Sequence, residues 1–157
     1  MEELICREGT VHSVIFQNAE NGYTVLRLLT EEGEVVTVVG CIPCVAPGEH
    51  LTVTGSWEVH PQHGEQLKAQ ELERTLPEEE EDIFAYLSSG VCKGVGPTTA
   101  RRIVDRFGLE TLDILEAEPE RLQEIRGITA KKAMEIGALF RQHMGLRRLM
   151  EFLSRYQ

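Results

Sequence analysis

Long apolar runs are missing from this chain of 157 residues, and aromatic residues are few. With no apolar stretch of about 18 residues, no segment has the length to cross a bilayer as a helix, and no membrane partner is expected. The opening Met1-Glu2-Glu3 is acidic, unlike a secretory leader. Four cysteines without such a leader fit reduced thiols and a cytoplasmic location. Before residue 77 the only aromatics are Phe16, Tyr23 and Trp57. They read as core residues, not as a platform for stacking bases. No G-x-x-x-x-G-K-[ST] occurs, which excludes ATP hydrolysis by a P-loop within these residues. No Ser/His/Asp or Cys/His arrangement stands out, so no catalytic residue is assigned.

Positive charge is scarce in one half only. The formal net charge is −10, but residues 1–90 hold 4 Lys/Arg against 17 Asp/Glu, and residues 91–157 hold 12 against 9. One reading is an acidic, solvated surface on the first half. The other is a basic half that faces DNA, joined to an acidic half that faces elsewhere.

The first half has β character. Strand candidates are Gly9–Phe16, Gly22–Leu29, Glu34–Val39, Leu51–Val59 and about Glu65–Glu73, separated by turn signals such as Asn21-Gly22, Gly33 and Gly64. Five short antiparallel strands in this span fit a small closed barrel, of OB type or SH3-like. Composition changes at Pro77, where Glu78 to Asp82 form an acidic run suited to a helix N-terminus. Ile83, Phe84 and Leu87 make an apolar face, and Gly90 ends that helix.

Cys92-Lys93-Gly94-Val95-Gly96-Pro97 follows. Pro97 suits a first helical position, and Ala100, Ile103, Val104 and Phe107 form one apolar stripe. A glycine turn, a helix N-terminus and the off-stripe Lys93, Arg101, Arg102 and Arg106 together suggest a phosphate site. The unit recurs 33 residues later. Thr111 caps a short helix, Pro119 opens another, and Arg126-Gly127-Ile128-Thr129 forms the turn. A helix from Ala130 then places Ala133, Ile136, Gly137 and Phe140 on one face. A last segment, Leu146–Tyr156, follows Gly145. The expected division is therefore a barrel over 1–76, paired helical hairpins over 77–145, and the first helix of a further unit over 146–157. The expected class is α+β, a small antiparallel OB-like barrel followed by an all-α domain.

The two turns resemble tandem helix-hairpin-helix motifs. Thr129 stands where the second motif usually has glycine. Over nearly the whole chain, Asn21-Gly22-Tyr23-Thr24-Val25-Leu26, His60-Pro61-Gln62-His63-Gly64-Glu65-Gln66, the two hairpins and Arg148-Leu149-Met150-Glu151-Phe152-Leu153 resemble the N-terminal region of single-chain RecD/TraA-type DNA helicases. That resemblance implies an accessory DNA-binding region of a larger ATP-dependent enzyme with roles in repair and recombination. No cofactor is expected in these residues, with ATP and magnesium belonging to the motor. It also implies that turn amides hold DNA phosphates without reading bases. The candidate contacts are Lys93, Gly94, Val95, Gly96, Thr98, Arg101 and Arg102 in the first hairpin. In the second they are Arg126, Gly127, Ile128, Thr129, Lys131 and Lys132, with the Thr129 hydroxyl donating to an oxygen or capping the helix. The acidic barrel is left as a surface for a protein partner.

Two other readings stay open. RuvA-type Holliday-junction-binding subunits share the order of barrel and paired hairpins, and a module that only binds protein would use the same hairpins for packing. The glycosylases with such hairpins need a downstream catalytic Asp; Asp105 and Asp113 are poorly placed, which leaves only Glu135. Cys41, Cys44, His60 and His63 have a finger-like interval but a short His spacing. They read as small buried cysteines and turn histidines, and no metal is expected.

Overall fold

The computed structural model describes residues 3–62 and 64–154. They form two compact units. One takes in the chain up to Leu76 together with Leu149 onward, and the other is Pro77–Arg148.

Alternation builds the barrel. In β2 (Tyr23–Thr30), Thr24, Leu26, Leu28 and Thr30 are buried while Tyr23, Arg27 and Leu29 face out. β2 lies antiparallel between β1 (Ile5–Gln17) and β3 (Val35–Cys41). β4 (His50–His60) and β5 (Gly64–Thr75) form a long hairpin. β1 starts well before the expected Gly9 because its first half pairs with β4 and its second half with β2. The strands close in the order β1-β2-β3-β5-β4, the OB-like barrel that the strand count suggested. One pairing departs from the all-antiparallel expectation: β3 and β5 are parallel, at Val38–Leu67 and Val39–Lys68. Topology requires it. β1 opposes both β2 and β4, so β3 and β5, each opposed to one of those, run the same way.

The core is Val11, Leu26, Leu28, Val36, Val38, Ile42, Val45, Leu51, Val53 and Leu67. Burying each such side chain contributes about 1.5–3 kcal/mol before chain entropy is counted. The β3–β4 connection is held by a buried ion pair. Arg74 donates from Nε and Nη2 to Glu49 Oε1 at 3.2 and 2.9 Å and from Nη1 to the Pro43 carbonyl at 2.8 Å. Glu49 Oε2 accepts the Ala46 N–H at 2.8 Å.

The aromatics differ from expectation. Trp57 does pack, half-buried, against the core. Phe16 and Tyr23 do not: they are 52% and 43% exposed. A register shift in β1 between Val14 and Phe16 turns Ile15 and Phe16 both outward, and Tyr23 sits in the outward phase of β2. Cys41 is also exposed and Cys44 half-buried, so the expected pair of buried cysteines is not formed. Among the described residues Cys41, Cys44 and His60 do not gather into a ligand cluster; His63 lies outside the described residues.

In the second unit the acidic run opens α1 (Glu80–Tyr86), which passes through one wide turn, Leu87–Val91, to Gly90 at φ 103°. α2 (Pro97–Phe107) starts at the expected proline. α3 (Thr111–Ala117) follows a 3-10 turn, Gly108–Glu110. Thr111 is not its cap: it lies within the helix, and its hydroxyl donates back to the Gly108 carbonyl at 2.7 Å. Pro119–Glu124 is a 3-10 helix, not an α-helix, and α4 runs Ala130–Ser154. The break expected at Gly145 is absent. One interior glycine costs about 1 kcal/mol relative to alanine, and Ile136, Phe140 and Met144 anchor the helix around it through burial. Arg155 and Tyr156, the end of the expected further helix, lie outside the described residues. No helix among the described residues is long and apolar enough to cross a membrane.

Candidate nucleic-acid interface

The repeat read from the sequence is a repeat of backbone geometry. Gly94 and Gly127 both adopt positive φ, 91° and 95°, a region open to glycine because it lacks Cβ. In each turn the next amide closes the loop: Val95 N–H donates to the Cys92 carbonyl and Ile128 N–H to the Ile125 carbonyl, both at 3.1 Å. In each, the helix then begins with the same bond, Ala100 N–H to Gly96 O and Ala133 N–H to Thr129 O, both at 2.9 Å. The apolar anchors match too. Cys92, Ala100, Ile103 and Phe107 are buried, as are Ile125, Ala133, Ile136 and Phe140. The stripe breaks where Gly137 replaces Val104, because a Cβ there would lie 2.4 Å from Pro119 Cβ.

This geometry corrects part of the candidate list. The amides of Val95 and Ile128 are used inside their turns and do not face a ligand. The amides of Gly94 and Gly96, and those of Gly127 and Thr129 in the second turn, have no acceptor among the described residues. α2 has no side-chain cap, so its first-turn amides at Thr98 and Thr99 are open as well. The second hairpin is more closed. Thr129 Oγ1 accepts the Lys132 N–H at 3.1 Å, so Thr129 caps α4 and uses the amide that corresponds to that of Thr99.

The cations divide into two sets. Arg101 is committed to α1: its guanidinium donates to both Glu81 oxygens at 3.0 and 3.1 Å and lies 3.9 Å from the centroid of the Phe84 ring. The Arg101 hydrogen bond holds the Glu81 carboxyl below its ordinary range, and the same pairing raises Arg101. Arg106 is bound to Glu124 at 2.6 Å, and Arg121 to the same carboxylate at 3.2 Å. Those two arginines, Arg106 first, lower Glu124. Arg148 reaches Glu116 at 3.5 Å. Lys93, Arg102, Arg126, Lys131 and Lys132 have no carboxylate partner among the described residues, and all but the half-buried Lys132 are exposed.

These five lie at the turns, and two of them cross between hairpins. A Cβ placed on Gly94 would meet Lys132 Nζ, from the second hairpin, at 2.9 Å. A Cβ placed on Gly127 would meet Arg102 Nη1, from the first, at 3.6 Å. Each turn therefore has a cation from the other motif beside it. An open groove of about 810 Å³ runs along the second turn, lined by Arg102, Asp105, Arg106, Ile125, Arg126 and Gly127. Open amides, glycine backbone without Cβ and unpaired cations suit a polyanion bound through its phosphates. The sequence did not reveal the crossing of Lys132 and Arg102. The open Thr99 amide was also missed, although its place in the first turn after Pro97 could have marked it.

Residues 2–77 match the family model described as the OB-fold domain of the ATP-dependent DNA helicase YrrC. The match takes in the whole barrel. Residues 87–136 match the model of the SAM-like helix-hairpin-helix tandem, so both turns of the site lie within a tandem helix-hairpin-helix domain. The chain is also 30% identical, over 153 residues, to the ATP-dependent RecD2 DNA helicase of Deinococcus radiodurans. That match takes in 93% of this chain and 21% of the relative, so the chain spans about a fifth of the length of the curated relative it matches. With the YrrC-type OB-fold domain in front of the hairpin tandem, the chain corresponds to the barrel-and-hairpin region of RecD-like helicases. Among solved structures, a chain of the S. pombe Stn1–Ten1 complex aligns with a TM-score of 0.37 at 22% identity, covering 46% of this chain and 57% of that one.

Proposed function

We propose that this chain is an accessory region of an ATP-dependent RecD-like DNA helicase and that its paired hairpins hold the DNA backbone without regard to sequence. The observation that carries this reading is the placement of five cations without a carboxylate partner among the described residues at two matching turns, beside the open amides of Gly94, Gly96, Thr98 and Thr99 in the first and of Gly127 and Thr129 in the second. Phosphate oxygens accept from the amides, and Lys93 and Lys132 neutralise charge at the first turn. Arg102, Arg126 and Lys131 do so at the second. Contacts from amides and cations to phosphates fix a duplex in place without carrying sequence information. Translocation belongs to the motor of the parent protein, where ATP and magnesium would bind. The residues here include no P-loop, and no step of hydrolysis is assigned to them.

Fluorescence anisotropy on short duplexes of unrelated sequence tests the reading. Affinity should be similar across sequences and fall with salt at a log–log slope of about −4, close to −0.9 for each neutralised phosphate. Arg102→Glu/Lys132→Glu should weaken binding and flatten the slope by about 2 while leaving the melting temperature nearly unchanged. Wild-type affinity in that variant and in Lys93→Glu/Arg126→Glu would refute the grip. A strong preference for four-way junctions would replace it with junction binding.

A further inference from the structure

Asp105 lines the groove at the second turn, among the cations Arg102, Arg106 and Arg126. Its side chain is 67% exposed, and its one ion pair among the described residues is with Arg101, at 3.9 Å. That arginine already donates to both Glu81 oxygens at 3.0 and 3.1 Å. Two carboxylates therefore share one guanidinium, and a full negative charge is left over at the groove. The nearest residue in sequence that could offset it, Arg106, is held by Glu124 at 2.6 Å. The position does not favour the helix either. Asp105 is in the last turn of α2, where negative charge opposes the macrodipole. A long, exposed ion pair such as that with Arg101 adds little stability.

We infer that Asp105 limits the affinity of the hairpin grip: its carboxylate repels the phosphate held at the second turn and keeps that hold weaker than the cations alone would make it. The inference rests on the backbone-binding reading proposed above. A phosphate drawn to the Gly127 amide and to Arg102, whose Nη1 lies 3.6 Å from where a Gly127 Cβ would stand, enters the groove that Asp105 lines. Like charges about 7 Å apart change an equilibrium about threefold in bulk water, and more beside a surface of lower dielectric constant. The carboxylate is not needed to place Arg101, which Glu81 holds through two hydrogen bonds and the Phe84 ring supports at 3.9 Å. Asp105 thus lowers affinity without a matching gain in folding. A light hold suits a region past which a motor draws DNA, because each phosphate must be released before the next is taken.

The test compares Asp105→Asn with Asp113→Asn in the full chain, by anisotropy on a fluorescent duplex. Asp113 is exposed on α3 and is not among the residues that line the groove, so both variants change the net charge equally and only one clears the groove. At about 50 mM salt Asp105→Asn should bind about three- to tenfold tighter, and Asp113→Asn should bind as the wild type does. The gain should shrink as salt rises, because screening weakens a repulsion and leaves a packing effect in place. Asp105→Glu, which keeps the charge, should show no gain, and Asp105→Asn should melt no lower than the wild type. Unchanged or weaker binding in Asp105→Asn, or an equal gain in Asp113→Asn, would overturn the inference. Arg102→Glu/Lys132→Glu, measured alongside, separates it from the grip itself. Weaker binding there with no gain in Asp105→Asn overturns the limiting role alone, whereas wild-type binding in both variants overturns the grip as well.

Discussion

Replacing Gly94 with alanine, beside the same change at Gly90, separates backbone strain from loss of the site. Both glycines have positive φ, 91° and 103°, and both are exposed in the helical unit. The left-handed region costs an L-residue about 1–2 kcal/mol. Reduced freedom of the unfolded chain returns about 0.4–1 kcal/mol. Each variant should therefore lose about 0.5–1.5 kcal/mol. For a domain of this size, about 4–8 °C of melting temperature accompanies each kcal/mol. The two positions differ in what surrounds them. A Cβ on Gly90 meets nothing within 4 Å, whereas one on Gly94 lies 2.9 Å from Lys132 Nζ. Lys132 is flexible enough to move at little cost to folding, but moving it withdraws a cation from the turn. The methyl group also stands where a phosphate would approach the backbone. Loss of one hydrogen bond to a charged group is worth about 1.5–3 kcal/mol, so Gly94→Ala should weaken duplex binding at least about tenfold. Gly90→Ala should bind normally. Helical circular dichroism gives the two melts, and anisotropy at about 50 mM salt gives the affinities. Equal loss of affinity in both variants would reduce the effect to general destabilisation. Unchanged affinity in Gly94→Ala would remove the first turn from the interface.

Thr129→Ala removes the cap on the Lys132 amide and should cost about 1 kcal/mol, whereas Thr129→Gly should cost only a few tenths and leave DNA affinity equal or higher; thermal melts and anisotropy on both variants check this. Arg101→Ala should lower stability through loss of Glu81 and Phe84 but leave duplex affinity and its salt slope unchanged, in contrast to Arg102→Ala. Because pairing lowers the carboxyls of Glu81 and Glu124 in the folded state, their contribution is complete above the ordinary carboxylate value of 4.5 and disappears as pH falls through the lowered folded values. Glu81→Gln should thus flatten the acid limb of a stability-against-pH curve, and an unchanged limb would contradict the pairing. Glu49→Ala removes the fully buried carboxylate beside Arg74 and leaves Glu151, at 2.9 Å, as the carboxylate still paired with that arginine; the lost hydrogen bonds to a charged group should cost the barrel about 1.5–3 kcal/mol, read by urea unfolding followed through Trp57 fluorescence. Burial pushes the Cys92 thiol up to about 11, so an alkylating reagent followed by mass spectrometry should label exposed Cys6 and Cys41 quickly and Cys92 only at the rate of local unfolding.

The parts of this fold legible in the sequence are those set by local rules. A turn that demands positive φ selects Gly94 and again Gly127, and the flanking apolar stripe shows which residues the turn joins. The turn signal at Asn21-Gly22 and the run that follows marked the strand β2 but not its buried side: Tyr23 reads as core and faces out, while Thr24, Leu26, Leu28 and Thr30 face in. Other features depended on contacts made at a distance. Arg101 and Arg102 are neighbours in sequence, yet one is bound by Glu81 and Phe84 of α1 while the other lies beside Gly127. No local pattern distinguishes them, because the distinction is made when α1 packs on α2. Phe16 reads as core by composition alone. Only the register shift in β1 shows that Ile15 and Phe16 both face out, and the run Val14-Ile15-Phe16, too long for strict alternation, was its trace in the sequence. Gly145 shows the opposite error: a breaker residue was given more weight than the packing on either side of it.

A chain with net charge −10 is a poor candidate for DNA binding only if every charge counts equally. Exposed charges farther apart than about 10 Å are largely screened at 0.1 M salt, so a polyanion responds to the charges at the contact. Within the helical unit, ion pairs set which charges those are. Glu81, Glu124, Glu118 and Glu116 neutralise Arg101, Arg106, Arg121 and Arg148 on the helix flanks. Such exposed pairs add little to stability, about 0–1 kcal/mol each, but they withdraw those arginines from competition for phosphate. Among the described residues, Lys93, Arg102, Arg126, Lys131 and Lys132 have no carboxylate partner and lie at the turns of Gly94 and Gly127, where backbone amides are also open, while Arg141 is bound to the Glu116 carbonyl at 2.7 Å. The pairing therefore localises the positive field at two turns, and the steepness of the salt dependence should report that small set and not the total number of lysines and arginines in the domain.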